Sequence, residues 1–198
     1  MAQRCDRAEF LLSWQPYFLF ESAPDEGMPF VEWMRNVAGE EAAGKAQRRE
    51  GTLFELCDEM GLNLDADRRL GNTVYSHCLV DYAGKISPAV QTELVEVLFE
   101  GNLANGELIS DINFLLRCAE KVNIDKEGAL AHMQNAEIQQ QIIAAYKQTV
   151  QEIGVPKLPF TVMTSNRNPE LKLAFSGDMP PSTMAAIFDK LLDSSTET

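Results

Sequence analysis

The sequence predicts an α/β fold, a small sheet interrupted by a long helical insertion. Two observations carry this. The chain reads strand, run of helices, hairpin, helix, and an all-helical bundle would have no use for the hairpin. The length, 198 residues, fits one domain, expected to span 1-198.

The first element is Phe10 to Phe20, rich in aromatic and large apolar residues. It reads as a buried strand, with Pro16 at an edge position or its end. Pro24-Asp25-Glu26-Gly27 is turn chemistry. Pro29 opens a short helix to Val37, and Gly39 stops it. One helix is then expected from Glu40 to Met60, with Leu53, Leu56, Cys57 and Met60 on one stripe and Gly61 at its end. Asn72 to Tyr82 reads as helix, stopped at Gly84. Ser87-Pro88 is an N-cap followed by proline at the first helical position, and Val90, Leu94, Val97 and Leu98 line the helix that follows. Two short helices, Asp111 to Val122 and Asp125 to Met133, precede a longer one from Ala136 to Ile153. That helix places Ile138, Ile142, Ala145, Thr149 and Ile153 on one face. Phe160 to Met163 and Leu171 to Phe175 then form a hairpin across Ser165-Asn166-Arg167-Asn168-Pro169. Pro180-Pro181 leads into a last helix, Ser182 to Leu192.

Composition excludes several function classes. Lys plus Arg is 17 and Asp plus Glu is 30, a formal charge of −13. Nucleic acid and anionic membranes both require a basic face, so neither is an expected partner. No apolar run approaches a membrane span, and Met1 to Phe10 lacks the pattern of a signal peptide. The expected location is cytoplasmic. The cysteines are Cys5, Cys57, Cys78 and Cys118, and no two of them make a CxxC. With His77 and His132 the only histidines, metal-ligand spacing is absent too, and no metal is expected. The acidic excess reads as a solvated surface, without a paired-carboxylate site.

Several strings, in order, resemble the DsbA-like thioredoxin-fold family, in the branch of the FrnE dithiol-disulfide isomerases. That branch is related to 2-hydroxychromene-2-carboxylate isomerases and kappa-class glutathione transferases. Trp14-Gln15-Pro16-Tyr17-Phe18-Leu19 is similar to the family's W-x-P-F-x-L second strand. Arg69-Leu70-Gly71-Asn72-Thr73 with Ser76-His77 resembles R-x-x-N-T-x-x-A-H. Leu98-Phe99-Glu100-Gly101-Asn102 stands where the family has L-F-x-A-Y-F. Gly154-Val155-Pro156-Lys157-Leu158-Pro159-Phe160 resembles G-V-x-G-V-P-F, and Phe175-Ser176-Gly177 the start of S-G-A-Q. The resemblance runs from about Phe10 to Leu192. It implies a thioredoxin-like sheet with a helical insertion at about 29-135 and a thioredoxin-type C-terminal half at about 136-192. It also implies a departure. The family opens with a strand, a C-P-W-C turn and a helix, and these are expected to be missing, leaving the domain truncated at its N-terminus.

The resemblance further implies site residues. It places Pro159 at the cis-proline before a central strand, where the backbone of Leu158 would pair with a substrate peptide or glutathione. Pro156 is a rival, but only Pro159 is followed directly by the apolar run Phe160-Thr161-Val162-Met163. Ser176 and Asp178 stand where glutathione-using relatives hold the γ-glutamyl end, and Asp178 also fits as a cap for the last helix. His77 and Cys78 are adjacent, but neighbours on a helix point about 100° apart, so they do not face each other. His77 is expected to hydrogen-bond the second strand or the Asn72 turn. Cys57 and Cys118 read as small core residues, and Cys5 as a lone thiol near the terminus.

The implied activity is exchange between protein thiols and disulfides, in which a low-pKa thiolate attacks and a second cysteine resolves. The sequence holds neither thiol where that exchange requires it. No catalytic residue is therefore assigned, and enzyme activity stays open. Three functions follow: a thiol-disulfide oxidoreductase homologue without its CxxC, a glutathione-dependent isomerase or transferase with glutathione as cofactor, or a non-catalytic binding protein using the groove at Pro159 or the sheet edge left open by the missing strand to pair with another chain.

Overall fold

A short ladder, β1 (Met28–Pro29) with β2 (Arg69–Leu70), opens the regular structure of a computed structural model that describes residues 8–59, 61–166, 168–177 and 179–193. Between these strands lie α1 (Phe30–Gln47) and α2 (Thr52–Glu59). Helix α1 kinks at Gly39, whose φ of 86° is the left-handed value glycine adopts readily. The single helix expected from Glu40 to Met60 is two. Arg49 (φ 57°) and Gly51 (φ 112°) leave the helical region, and Glu50 N–H closes back on Lys45 O at 2.8 Å in a Schellman-type cap. The expected stripe is also rotated. Phe54 is the buried residue and Leu56 is exposed, while Met60 and the Leu53 side chain lie outside the described residues.

Helix α3 (Val74–Ile86) runs through Gly84 instead of stopping there, because Gly84 makes room for the Gln91 side chain. Ser87 then closes α3 and starts α4 (Pro88–Phe99). Its N–H bonds Ala83 O at 3.1 Å, and its Oγ accepts from Val90 N at 3.1 Å, with Pro88 at the first helical position. The buried face of α4 is Gln91, Leu94, Val95 and Leu98, a rotation from the expected stripe that leaves Val90 and Val97 half-buried. A π-helical turn, Glu100–Ala104, follows.

Asp111 caps α5 (Ile112–Lys121) by accepting from Asn113 N at 2.9 Å. Asp125 caps α6 (Lys126–Gln134) by accepting from Gly128 N at 2.6 Å. Helix α7 (Ala136–Ile153) buries Ile142 and Tyr146, not the whole face expected, and Ile153 is exposed. The hairpin is β3 (Phe160–Ser165) with β4 (Asn168–Ser176), antiparallel, pairing Phe160 with Ser176 and Val162 with Ala174. α8 (Pro181–Asp193) ends the described chain. Among the described residues no helix is long and apolar enough to cross a membrane.

The chain forms two compact units, residues 12–146 and residues 8–11 with 147–193. The first is built on α3, α4, α5 and α6, whose Leu79, Leu94, Leu115, Met133, Cys78 and Cys118 are fully buried. In the second, α8 packs on both strands of the hairpin, burying Leu191 and Leu192, and the Phe10 and Phe188 rings meet at 4.7 Å.

One expected element is absent. Phe10 to Phe20 forms no strand ladder among the described residues, whose sheets are the two two-stranded pairs above. Its apolar content signalled burial, but a strand exists only through a partner, and here side chains stand in for one.

Two substitutions probe the core of residues 12–146. Leu115→Ala is expected to lower unfolding free energy by about 3 kcal/mol. Gly101→Ala, whose new methyl would overlap the Phe114 ring, is expected to cost about 2 kcal/mol. Urea denaturation of both variants checks the pair. Wild-type stability in either would show that the packing at that position is wrong.

Candidate functional site

Extended backbone without a ladder must satisfy its polar groups elsewhere. In residues 12–18 three helices supply side chains for this. From α4, the Gln91 carboxamide accepts from Trp14 N–H at 2.9 Å and donates to Trp14 O at 3.2 Å. It also donates to Val80 O at 3.2 Å. From α3, His77 Nε2 lies 3.2 Å from Tyr17 O. From α7, Tyr146 Oη donates toward Phe18 O at 3.3 Å and Glu21 Oε1 at 3.0 Å. The Phe18 ring lies 4.7 Å from the His77 ring and 5.1 Å from the Tyr146 ring, both near perpendicular. The expected bond from His77 to the Trp14–Leu19 stretch is therefore present.

Burial holds the His77 pKa down at about 4, outweighing the pull of the Tyr17 carbonyl in the other direction. The ring is thus neutral near pH 7, with Nε2–H as donor. It does not face Cys78 as a partner, and it is no base for a thiol. Cys78 and Cys118 are buried, and burial pushes both thiols up to about 11. Cys57, half-buried on α2, is a free thiol like these two. Cys78 and Cys118 lack the accessible, electropositive surroundings that make a reactive cysteine. Cys5 lies outside the described residues.

His132 is likewise structural. Its Nε2 lies 2.8 Å from Asp81 Oδ2, which Lys85 Nζ also meets at 2.8 Å, and this ties α6 to α3. The described residues contain no cluster of His, Cys, Asp and Glu fit for a metal.

The other candidate site lies in the second unit. The Leu158–Pro159 peptide is cis. Pro159 O accepts from Gly177 N at 2.7 Å, so the two ends of the hairpin close on each other. Ser176, paired with Phe160, is exposed at this end. Leu158 is also exposed, and its own N–H and C=O make no hydrogen bond. β3 pairs with β4 alone, so its other edge is unpaired among the described residues. Leu158, Pro159 and Ser176 thus gather at one end of the hairpin, while Asp178 lies outside the described residues. Pro156 stands in the preceding loop, outside the strand.

Sequence reasoning missed Gln91 and Tyr146. Gln91 carried a signal. It sits three and seven residues before Leu94 and Leu98, on the buried stripe, where an amide needs partners. Two surface concavities lie beside residues 13–24. One, of about 210 Å³, is lined by Ser13, Trp14, His77, Asp81, Lys85 and Gln91 among others. A larger groove of about 570 Å³ runs beside residues 17–24, floored by Phe18, Trp33 and Tyr146.

A family model described as DSBA-like thioredoxin domain matches residues 2–188. The chain belongs to the DSBA-like thioredoxin domain family. Its fold agrees with that membership. The structure matches a probable DsbA oxidoreductase from Streptomyces coelicolor with a TM-score of 0.70, at 18% identity, over 90% of this chain and 74% of that one. No curated protein matches the chain. The DSBA-like domain here is mixed helix and strand, as the sequence predicted. The sequence contains no CxxC.

The depressed pKa of His77 gives a signed prediction. An unfolded imidazole titrates near 6.5 and the folded one near 4. Between these values only the unfolded chain takes up the proton, so stability falls as pH drops from about 6.5 to 4 and is flat above. The full displacement would be worth ~3 kcal/mol. Part of the ring stays open to water, so a loss of about 2 kcal/mol is expected. His77→Gln, which can still donate to Tyr17 O, should lose that slope in urea titrations across this range. An identical slope in both proteins would overturn the assignment.

Proposed function

We propose that this chain is a FrnE-like member of the family that binds an extended cysteine-bearing peptide at Leu158–Pro159 and does not itself turn over disulfides. Its partner class is protein thiols and disulfides, or glutathione, which share a thiol-bearing peptide backbone. The observation that carries the reading is the free N–H and C=O of Leu158 at the start of β3, whose outer edge is unpaired among the described residues. A peptide laid there would gain main-chain hydrogen bonds in the manner of strand addition. Ser176 stands exposed at the same end, and Asp178, two residues on in the sequence, would accept from an α-amino group.

Family membership and the DsbA oxidoreductase named among its structural neighbours support thiol chemistry as the setting. The chain's own residues argue against turnover. Exchange requires an attacking thiolate and a resolving thiol within reach, and Cys78 and Cys118 are buried, protonated thiols. A cytoplasmic location fits this reading, since reduced glutathione and protein thiols are abundant there.

Two measurements test this. The full chain should reduce insulin no faster than buffer with dithiothreitol, and Cys5→Ser should leave that result unchanged. The chain should also be retained on immobilised glutathione, or shift its Leu158 amide resonance when glutathione disulfide is added. Leu158→Pro, which removes one of the two free groups, should weaken retention about tenfold. Insulin turnover above background, or retention indifferent to Leu158, would sink the proposal.

A further inference from the structure

The backbone of residues 12–18 has a second, unused edge. The chain runs from Leu12 to Phe18 without bend or turn. From Ser13 to Pro16 exposure alternates as in a half-buried strand, while Leu12 is exposed and Tyr17 half-buried. Trp14, Pro16 and Phe18 turn inward, and Ser13 and Gln15 are exposed. In such a chain the N–H and C=O of one residue point to one edge and those of the next to the other. Gln91 takes both groups of Trp14, acting as one rung of a ladder on the inner edge. Ser13 and Gln15 therefore direct their groups to the outer edge, where neither makes a backbone hydrogen bond. Tyr17 O, taken by His77, ends the free stretch.

We propose that the outer edge of Leu12–Pro16 is a docking site for one added strand, an extended segment of a partner protein that is apolar at alternate positions and neutral or basic between them. The unpaired groups select a backbone as the occupant, since only a second strand presents donors and acceptors at the same spacing. The exposed Leu12 and Leu19, 52% and 60% accessible, flank the edge and favour apolar side chains on the incoming strand. The charge of −13 disfavours an acidic one. This site does not rest on Leu158–Pro159.

The probe is an acetylated, amidated peptide of about six residues, alternating valine and lysine, an ordinary strand length. The control is the same peptide N-methylated at its valines, which keeps charge and side chains but removes the donors of one edge. Amide exchange in the full chain is expected to slow about tenfold at Ser13 and Gln15 with the plain peptide alone. The plain peptide should bind about tenfold more tightly than the control. Gln15→Pro, at an exposed position, should remove that difference, with circular dichroism showing the helices retained. Equal binding of both peptides would mean charge attraction only and overturn the proposal. Unchanged exchange at Ser13 and Gln15 would do the same. Protection of these amides without peptide, in a dimer seen by sedimentation, would overturn the partner-peptide reading and give the edge to a second copy.

Discussion

One carboxamide organises residues 12–146. Gln91 is 5% exposed, and its side chain makes three hydrogen bonds, two to the backbone of Trp14 and one to Val80 O. A buried amide without partners would be costly, and so would the unpaired Trp14 peptide groups. Each solves the other's problem. The arrangement then constrains its surroundings. Position 84 is glycine where the amide passes, because a Cβ there would sit 2.7 Å from Gln91 Nε2. With Trp14 held, Tyr17 and Phe18 come within reach of His77 and Tyr146. A stretch rich in aromatics is thus anchored without belonging to a sheet.

Much of this was legible because local rules dominate where helices begin and end. Ser87-Pro88, Asp111 and Asp125 were readable as helix starts, and each side chain makes the capping bond its type favours. The hairpin was legible from its turn residues and apolar flanks. The segment Phe10 to Phe20 was not. Its composition told of burial, but pairing is a property of two segments, and no sequence pattern near Trp14 reveals that a glutamine seventy-seven residues away is its partner. The break at Arg48–Gly51 was missed for a related reason. Arg49 takes a left-handed backbone conformation that its residue type disfavours, and its guanidinium holds it there through Asp58 and Leu64 O.

The candidate site divides the same way. His77 could be assigned a structural bond from its place beside a helix start, and that is where its ring donates. Cys118 was readable as a core residue because it falls on an apolar stripe, and burial shows the chemical consequence in its raised pKa. Cys57, expected in the core on the same ground, is only half-buried because the stripe of its helix is rotated onto Phe54. At Leu158, by contrast, the significant groups belong to the backbone. Side-chain identity says nothing about whether a main-chain N–H has a partner, so only resemblance could single out that position.

The corner at Ser87 has a mechanical meaning. One residue closes α3 and opens α4, proline follows at once, and the Gln91 amide reaches from α4 back to Val80 in α3. No spare residue is left in which the corner could flex. The two helices therefore turn as a single stiff bracket, and because Gln91 and His77 grip the extended segment from its two arms, a load applied along that segment is carried into both helices together.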